Sequence, residues 1–162
     1  MDIVKALEML KNLELKMEKL YARYHRLFSA DTNASAVFLV LQAEERSHAD
    51  LIDYQIRMAR RNRALFRDVE FDAGTLNNLI AGIEGATNSA QLAAESAAEP
   101  VSLEHALALS IEFENNACEY HYRTLIVESN PEIEPLIRNL GSSDKMHAET
   151  LGTLSQKVKL PA

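Results

Sequence analysis

Glu45-Arg46-Ser47-His48 returns 99 residues later as Asp144-Lys145-Met146-His147. An acid three residues ahead of a histidine puts both on one helix face, because each residue turns the helix by about 100°. Glu45 and His48 share that face with Leu41, Ile52 and Gln55, and Asp144 and His147 share theirs with Ile137, Leu140, Leu151 and Leu154. Apolar stripes of this kind face a core, so both pairs are predicted to point inward.

Upstream of each pair lies a second element. Glu18 precedes Tyr24-His25, and 96 residues later Glu114 precedes Tyr120-His121. Glu18, Tyr21 and His25 fall on one helix face, and Glu114, Ala117 and His121 fall on another, beside Leu107, Ile111 and Leu125. A duplicated helical hairpin explains both recurrences. Glu14, one turn before Glu18, is an alternative acid, but at an offset of 96 its counterpart is Ser110.

The rest of the chain fits a helical protein. With 162 residues it is long enough for one domain with a real core, spanning 1–162. Five glycines, four prolines and no tryptophan leave little strand or turn chemistry. Apolar residues at three- and four-residue steps predict helices over about 2–28 and 34–65, antiparallel because their connection is short. The segment 68–101 holds a loop at 71–74 and one or two short helices over 76–92, and ends in an Ala-rich stretch before Pro100. It is too long for a turn and reads as a crossover. Ser102 is the expected N-cap of a third helix reaching Val127. Asn130-Pro131 opens a fourth over about 132–158, with a frayed tail after it.

Composition excludes several functions. A net charge of −7 is wrong for a general nucleic-acid binder, which needs a cationic face. The run Arg57, Arg60, Arg61, Arg63 and Arg67 sits where cations offset a helix carbonyl end, and is read as a solvated face. Cys118 alone rules out an intrachain disulfide and a Cys-x-x-Cys metal knuckle. No apolar stretch is long enough to span a membrane. The start Met1-Asp2-Ile3-Val4-Lys5 lacks the features of a signal peptide, so a cytoplasmic protein is expected.

Four buried acids need compensation, since an unpaired buried charge costs several kcal/mol. Lysine and arginine fall mostly on other faces, whereas two divalent cations would neutralise four carboxylates and each could take one imidazole. Oxygen and nitrogen ligation without thiolate suits iron, manganese or zinc. The competing arrangement is a buried network of acids hydrogen-bonded to histidines.

In these motifs and their order the chain resembles the ferritin-like carboxylate proteins, and the rubrerythrin branch in particular. The resemblance covers all four long helices. It implies an all-α, ferritin-like four-helix bundle, with a long crossover carrying short helices between helices two and three. It further implies two metal ions per chain, iron foremost, with Glu18 and Glu114 as terminal ligands, Glu45 and Asp144 bridging, and His48 and His147 each capping one metal.

The chain departs from that family in four ways. Asp144 stands where the pattern has glutamate, and is one methylene shorter. Ala117 takes the place of a further glutamate. His25 and His121 replace tyrosines, and these 162 residues hold no cysteine-rich rubredoxin segment. His25 and His121 lie about 10 Å along the axis from Glu18 and Glu114, so they are expected to be hydrogen-bond donors to the carboxylates, as is Tyr21, and not ligands.

The implied function is a dinuclear oxidoreductase that reduces peroxide or dioxygen, with electrons from a separate donor and with a homodimer as the expected assembly. Two alternatives stay open: a ferroxidase, for which Fe(II) is the substrate, and a metal-free helical interaction module.

Overall fold

The computed structural model describes residues 1–95, 100–127, 131 and 133–159, without the side chains of 122–127 and 159. Five α-helices follow in order: α1 Ile3–Leu27, α2 Thr32–Arg61, α3 Ala73–Glu95, α4 Leu103–Val127 and α5 Glu134–Lys159. No strand occurs among the described residues, so the chain is all-α.

Short polar side chains set the helix starts. Asp2 accepts hydrogen bonds from the Val4 and Lys5 amides, and Asp31 accepts from those of Asn33 and Ala34 at 3.1 and 3.0 Å. Asp72 caps α3 through the Thr75 amide, and Ser102 caps α4 through that of His105. Each satisfies a donor that the first helical turn leaves without a partner. The expected Asn130 cap and the tail from Leu160 lie outside the described residues.

Helices α1 and α2 form an antiparallel hairpin. Glu8 pairs with Arg60, Lys11 with Asp53 and Glu18 with Arg46, while His25 meets Ser35, so positions rise on one helix as they fall on the other. Arg57 pairs with Asp53, and Arg63 with Asp2 and Asp68, so these members of the basic run hold surface ion pairs. Helices α4 and α5 form the second hairpin, in which His121 meets Asp144 and Glu114 faces His147. The two hairpins meet through α2 and α5, and α3 packs on α1 and α4.

Two expectations are corrected. Helix α2 ends at Arg61, and the residues to Leu65 form a separate 3-10 turn. The segment between the two hairpins carries one helix of 23 residues and not short pieces, because Leu76, Ile80, Ile83, Ala86 and Ala90 give it an unbroken buried stripe. Gly82 lets α3 approach α4 closely, since a Cβ there would lie 3.3 Å from the Phe113 ring.

The apolar core runs through all five helices. Tyr21, Tyr24, Phe28 and Phe38 form an aromatic cluster at the α1–α2 turn, with centroids 5.2 to 6.0 Å apart. Leu10, Leu13, Leu20, Leu41, Ile52, Leu107, Ile137, Leu140 and Leu151 fill the interior. Against this background a cluster of buried acids and histidines stands out.

Candidate metal centre

Glu14, Glu45, Glu114 and Asp144 are each no more than 2% exposed, and His48, His121 and His147 are buried with them. One residue set comes from each of four helices: Glu14 from α1, Glu45 and His48 from α2, Glu114 and His121 from α4, Asp144 and His147 from α5. Two groups have ligand atoms all within 4.8 Å of one another, Glu14–Glu45–His48 and Glu45–Glu114–His147. Glu45 belongs to both.

Local geometry follows from the helix repeat. Glu45 and His48, three residues apart, stand side by side with His48 Nδ1 3.3 Å from Glu45 Oε2 and 3.3 Å from Glu14 Oε2. His147 Nδ1 lies 2.9 Å from Glu45 Oε1 and 3.4 Å from Glu114 Oε1, and its ring stacks on that of His48 at 5.6 Å.

Helices α1 and α4 are braced across the pocket by residues seven positions after each glutamate. The Tyr21 hydroxyl donates to Glu114 Oε1, and His121 Nε2 lies 3.6 Å from Glu14 Oε1. His121 Nδ1 donates to Asp144 Oδ2 at 2.7 Å.

Of the residues singled out from sequence, Glu45, His48, Glu114 and His147 are brought together, with Tyr21, His121 and Asp144 against them. Glu18 is not. It lies one turn along α1 from Glu14, its side chain 24% exposed and 3.7 Å from Arg46. Glu14 occupies the place assigned to it.

Asp144 belongs to neither group of ligand atoms, its short side chain being engaged by His121. His25 is far from the pocket, its Nδ1 3.0 Å from the Ser35 carbonyl oxygen, so it ties the end of α1 to the start of α2. Eleven residues separate it from Glu14, about 16 Å of helix. Glu44 is half-exposed, and its Oε2 lies 3.0 Å from His147 Nε2.

Every ion pair of the four buried acids among the described residues is with a histidine. Burial pushes Glu14 and Glu114 up to about 8, helped by the charge of Glu45. Burial would raise Glu45 too, but His147 and His48 beside it outweigh that and hold it at about 2. Burial opposes charge on the imidazoles, yet the carboxylates prevail: His48 rises to about 10 through Glu14 and Glu45, and His147 to about 11 through Glu114 and Glu45. His121 is raised by Asp144 against the same opposition. Burial and the Glu114 charge raise Tyr21, so its hydroxyl stays protonated.

A pH dependence follows for the protein without metal. The two imidazoles stabilise the fold fully below their ordinary 6.5, and this is lost as pH rises through about 10 to 11. Glu14 and Glu114 act in the same direction between 4.5 and about 8, because the unfolded chain ionises first. Glu45 acts only below 4.5. The melting temperature of chelator-treated protein is expected to fall steadily above neutral pH, and saturating divalent cation should flatten the fall. A midpoint that stays level or rises without metal would contradict these protonation states.

The donor set also fits a cation directly. His147 Nδ1 and Glu45 Oε1 are only 2.9 Å apart, yet both are among the buried atoms without a hydrogen bond, as is His121 Nε2. Buried polar atoms are nearly always satisfied, so three such atoms in one pocket are donors that could serve a cation.

Comparison with protein-family models, curated proteins and solved structures finds no match to this chain. No helix among the described residues is long and apolar enough to cross a membrane.

Proposed function

We propose that the chain is a dinuclear metal oxidoreductase on a ferritin-like, rubrerythrin-type bundle, reducing peroxide or dioxygen with electrons from a separate donor. The observation that carries this reading is the shared Glu45 between two acid-histidine groups. Glu14 and His48 would hold one cation, Glu114 and His147 the other, and Glu45 would bridge them. Iron fits the oxygen and nitrogen donors, as do manganese and zinc.

When bound, a redox-active metal pair supplies the electrons that cleave or reduce an oxygen–oxygen bond. The residues of the chain do the rest. Glu45, negative throughout the neutral range, would offer its charge to both positions. The Tyr21 hydroxyl keeps its proton on Glu114 Oε1, fixing which carboxylate oxygen stays free. The His121–Asp144 pair holds α4 to α5 at the opposite side, and Ala117, buried between Glu114 and His121, adds no further ligand.

A second reading, Fe(II) as substrate, is favoured by Glu44. Its half-exposed carboxylate touches the outer nitrogen of His147, a ligand for an incoming cation between solvent and the pocket.

Anaerobic loading with Fe(II), followed by one equivalent of peroxide, tests both. The proposed oxidoreductase gives rapid consumption of peroxide, the absorbance of an oxidised di-iron centre, and iron that remains at two per chain. Iron released as Fe(III), with more Fe(II) taken up, supports the second reading. His147→Ala should abolish the absorbance and His105→Ala, exposed at the start of α4, should preserve it. No absorbance and no consumption would overturn both readings.

A further inference from the structure

His147 is gripped between two consecutive acids of α2. Its Nδ1 lies 2.9 Å from Glu45 Oε1, and its Nε2 lies 3.0 Å from Glu44 Oε2. Neighbouring residues of a helix point about 100° apart, so Glu45 turns into the bundle while Glu44 stands at the edge of α2 that faces α5. His147 reaches into that angle from α5, and one ring nitrogen falls to each carboxylate.

His48 has no such arrangement. Both of its acids, Glu14 and Glu45, meet the same nitrogen, Nδ1, and no acid among the described residues pairs with its Nε2.

The outer contact of His147 is also well defined. Glu44 and His147 face a cavity of about 400 Å³ whose other walls include the apolar Val37, Val40, Leu41 and Met146. Ser143 Oγ lies farther from Nε2 than Glu44 does, at 3.4 Å.

The two rings therefore differ in a property that a metal ligand needs fixed. An imidazole that offers Nδ1 to a cation carries its one remaining proton on Nε2. A carboxylate that accepts that proton sets the tautomer and the ring orientation, and raises the basicity of the binding nitrogen.

We propose that Glu44 is the positioning residue of His147, and that it makes the position among Glu45, Glu114 and His147 the tighter of the two and the first to fill. The inference rests on the metal reading above, and is the same whether iron is cofactor or substrate.

Cobalt(II) is the probe, since it takes oxygen and nitrogen donors and its paramagnetism moves the N–H signal of a bound imidazole clear of the other protons. Titrated against a competing chelator, the wild-type chain should bind cobalt in two steps. The first step should persist in His48→Ala and vanish in His147→Ala. Glu44→Ala should weaken the first step by about 10- to 100-fold and leave the second unchanged. Glu44→Gln, whose amide oxygen still accepts a proton, should recover part of that loss.

The shifted N–H signal missing from His147→Ala should exchange slowly with solvent in the wild type and fast in Glu44→Ala, while that of His48 keeps its rate. A general loosening of the bundle would move both. Two cobalt ions bound by Glu44→Ala with wild-type affinity and exchange would overturn the role of Glu44 and leave the metal reading intact. A first step that survives in His147→Ala would overturn the order of filling. A wild-type chain that binds no cobalt would overturn the metal reading, and this inference with it.

Discussion

Glu45→Gln is expected to leave the protein folded and to remove both bound cations. The amide keeps the volume of the side chain, so packing against the core is preserved. What it removes is the one charge common to both groups of ligand atoms. His48→Ala and His147→Ala should each reduce the content from two cations per chain to one, because each imidazole serves a single group. Glu14→Gln should weaken one position, whereas Glu18→Gln, whose ion pair is with Arg46 outside the pocket, should keep both. Metal analysis after dialysis against a defined divalent salt checks all five variants. Retention of two cations in Glu45→Gln, or their loss in Glu18→Gln, would refute the arrangement.

His121→Phe should be the most damaging single change to the metal-free fold. His121 is fully buried and is the hydrogen-bond partner of Asp144, itself 2% exposed. Removing one member of a buried charged pair strands the other, at a cost of about 3–5 kcal/mol. For a chain of this size that lowers the melting midpoint by roughly 10 °C. Adding Asp144→Leu removes the stranded charge and should recover much of the loss, a coupling that a double-mutant cycle reads directly. If the double variant is as unstable as the sum of the two single changes, the pair is not what holds α4 to α5.

The two acid-histidine pairs were legible because helical periodicity puts residues three apart on one face, and the apolar stripe says which face is buried. The same logic found Glu114, Tyr21 and His121. It failed on α1, where Glu14 and Glu18 are one turn apart and periodicity separates them poorly. The repeat was matched on Glu18 and His25 at an offset of 96, which set Glu14 against Ser110.

The structure matches Glu14 with Glu114 and Tyr21 with His121, both at 100, close to the 99 of the other pair. Spacing within each hairpin held the signal: Glu14 to Glu45 is 31 residues and Glu114 to Asp144 is 30, whereas Glu18 to Glu45 is 27. A hairpin has a fixed reach from its turn, so equal spacing is the stronger constraint.

Other features were not legible for different reasons. The length of α3 depends on its packing against α1 and α4, which local propensity does not report. The partnership of Glu44 with His147 joins two hairpins, and no periodicity within one helix predicts it. His25 was misplaced because it followed from the wrong register. Asp144 looked like a bridging ligand by position, but its shorter side chain and the neighbouring His121 turn it to another partner.

Anomalous diffraction from crystals of the full chain grown with a divalent transition metal gives the most direct answer. Two peaks a few ångströms apart are predicted, one among Glu14, Glu45 and His48 and the other among Glu45, Glu114 and His147. A pocket without anomalous density at saturating metal, its histidines bonded only to the surrounding acids, would contradict the metal centre outright.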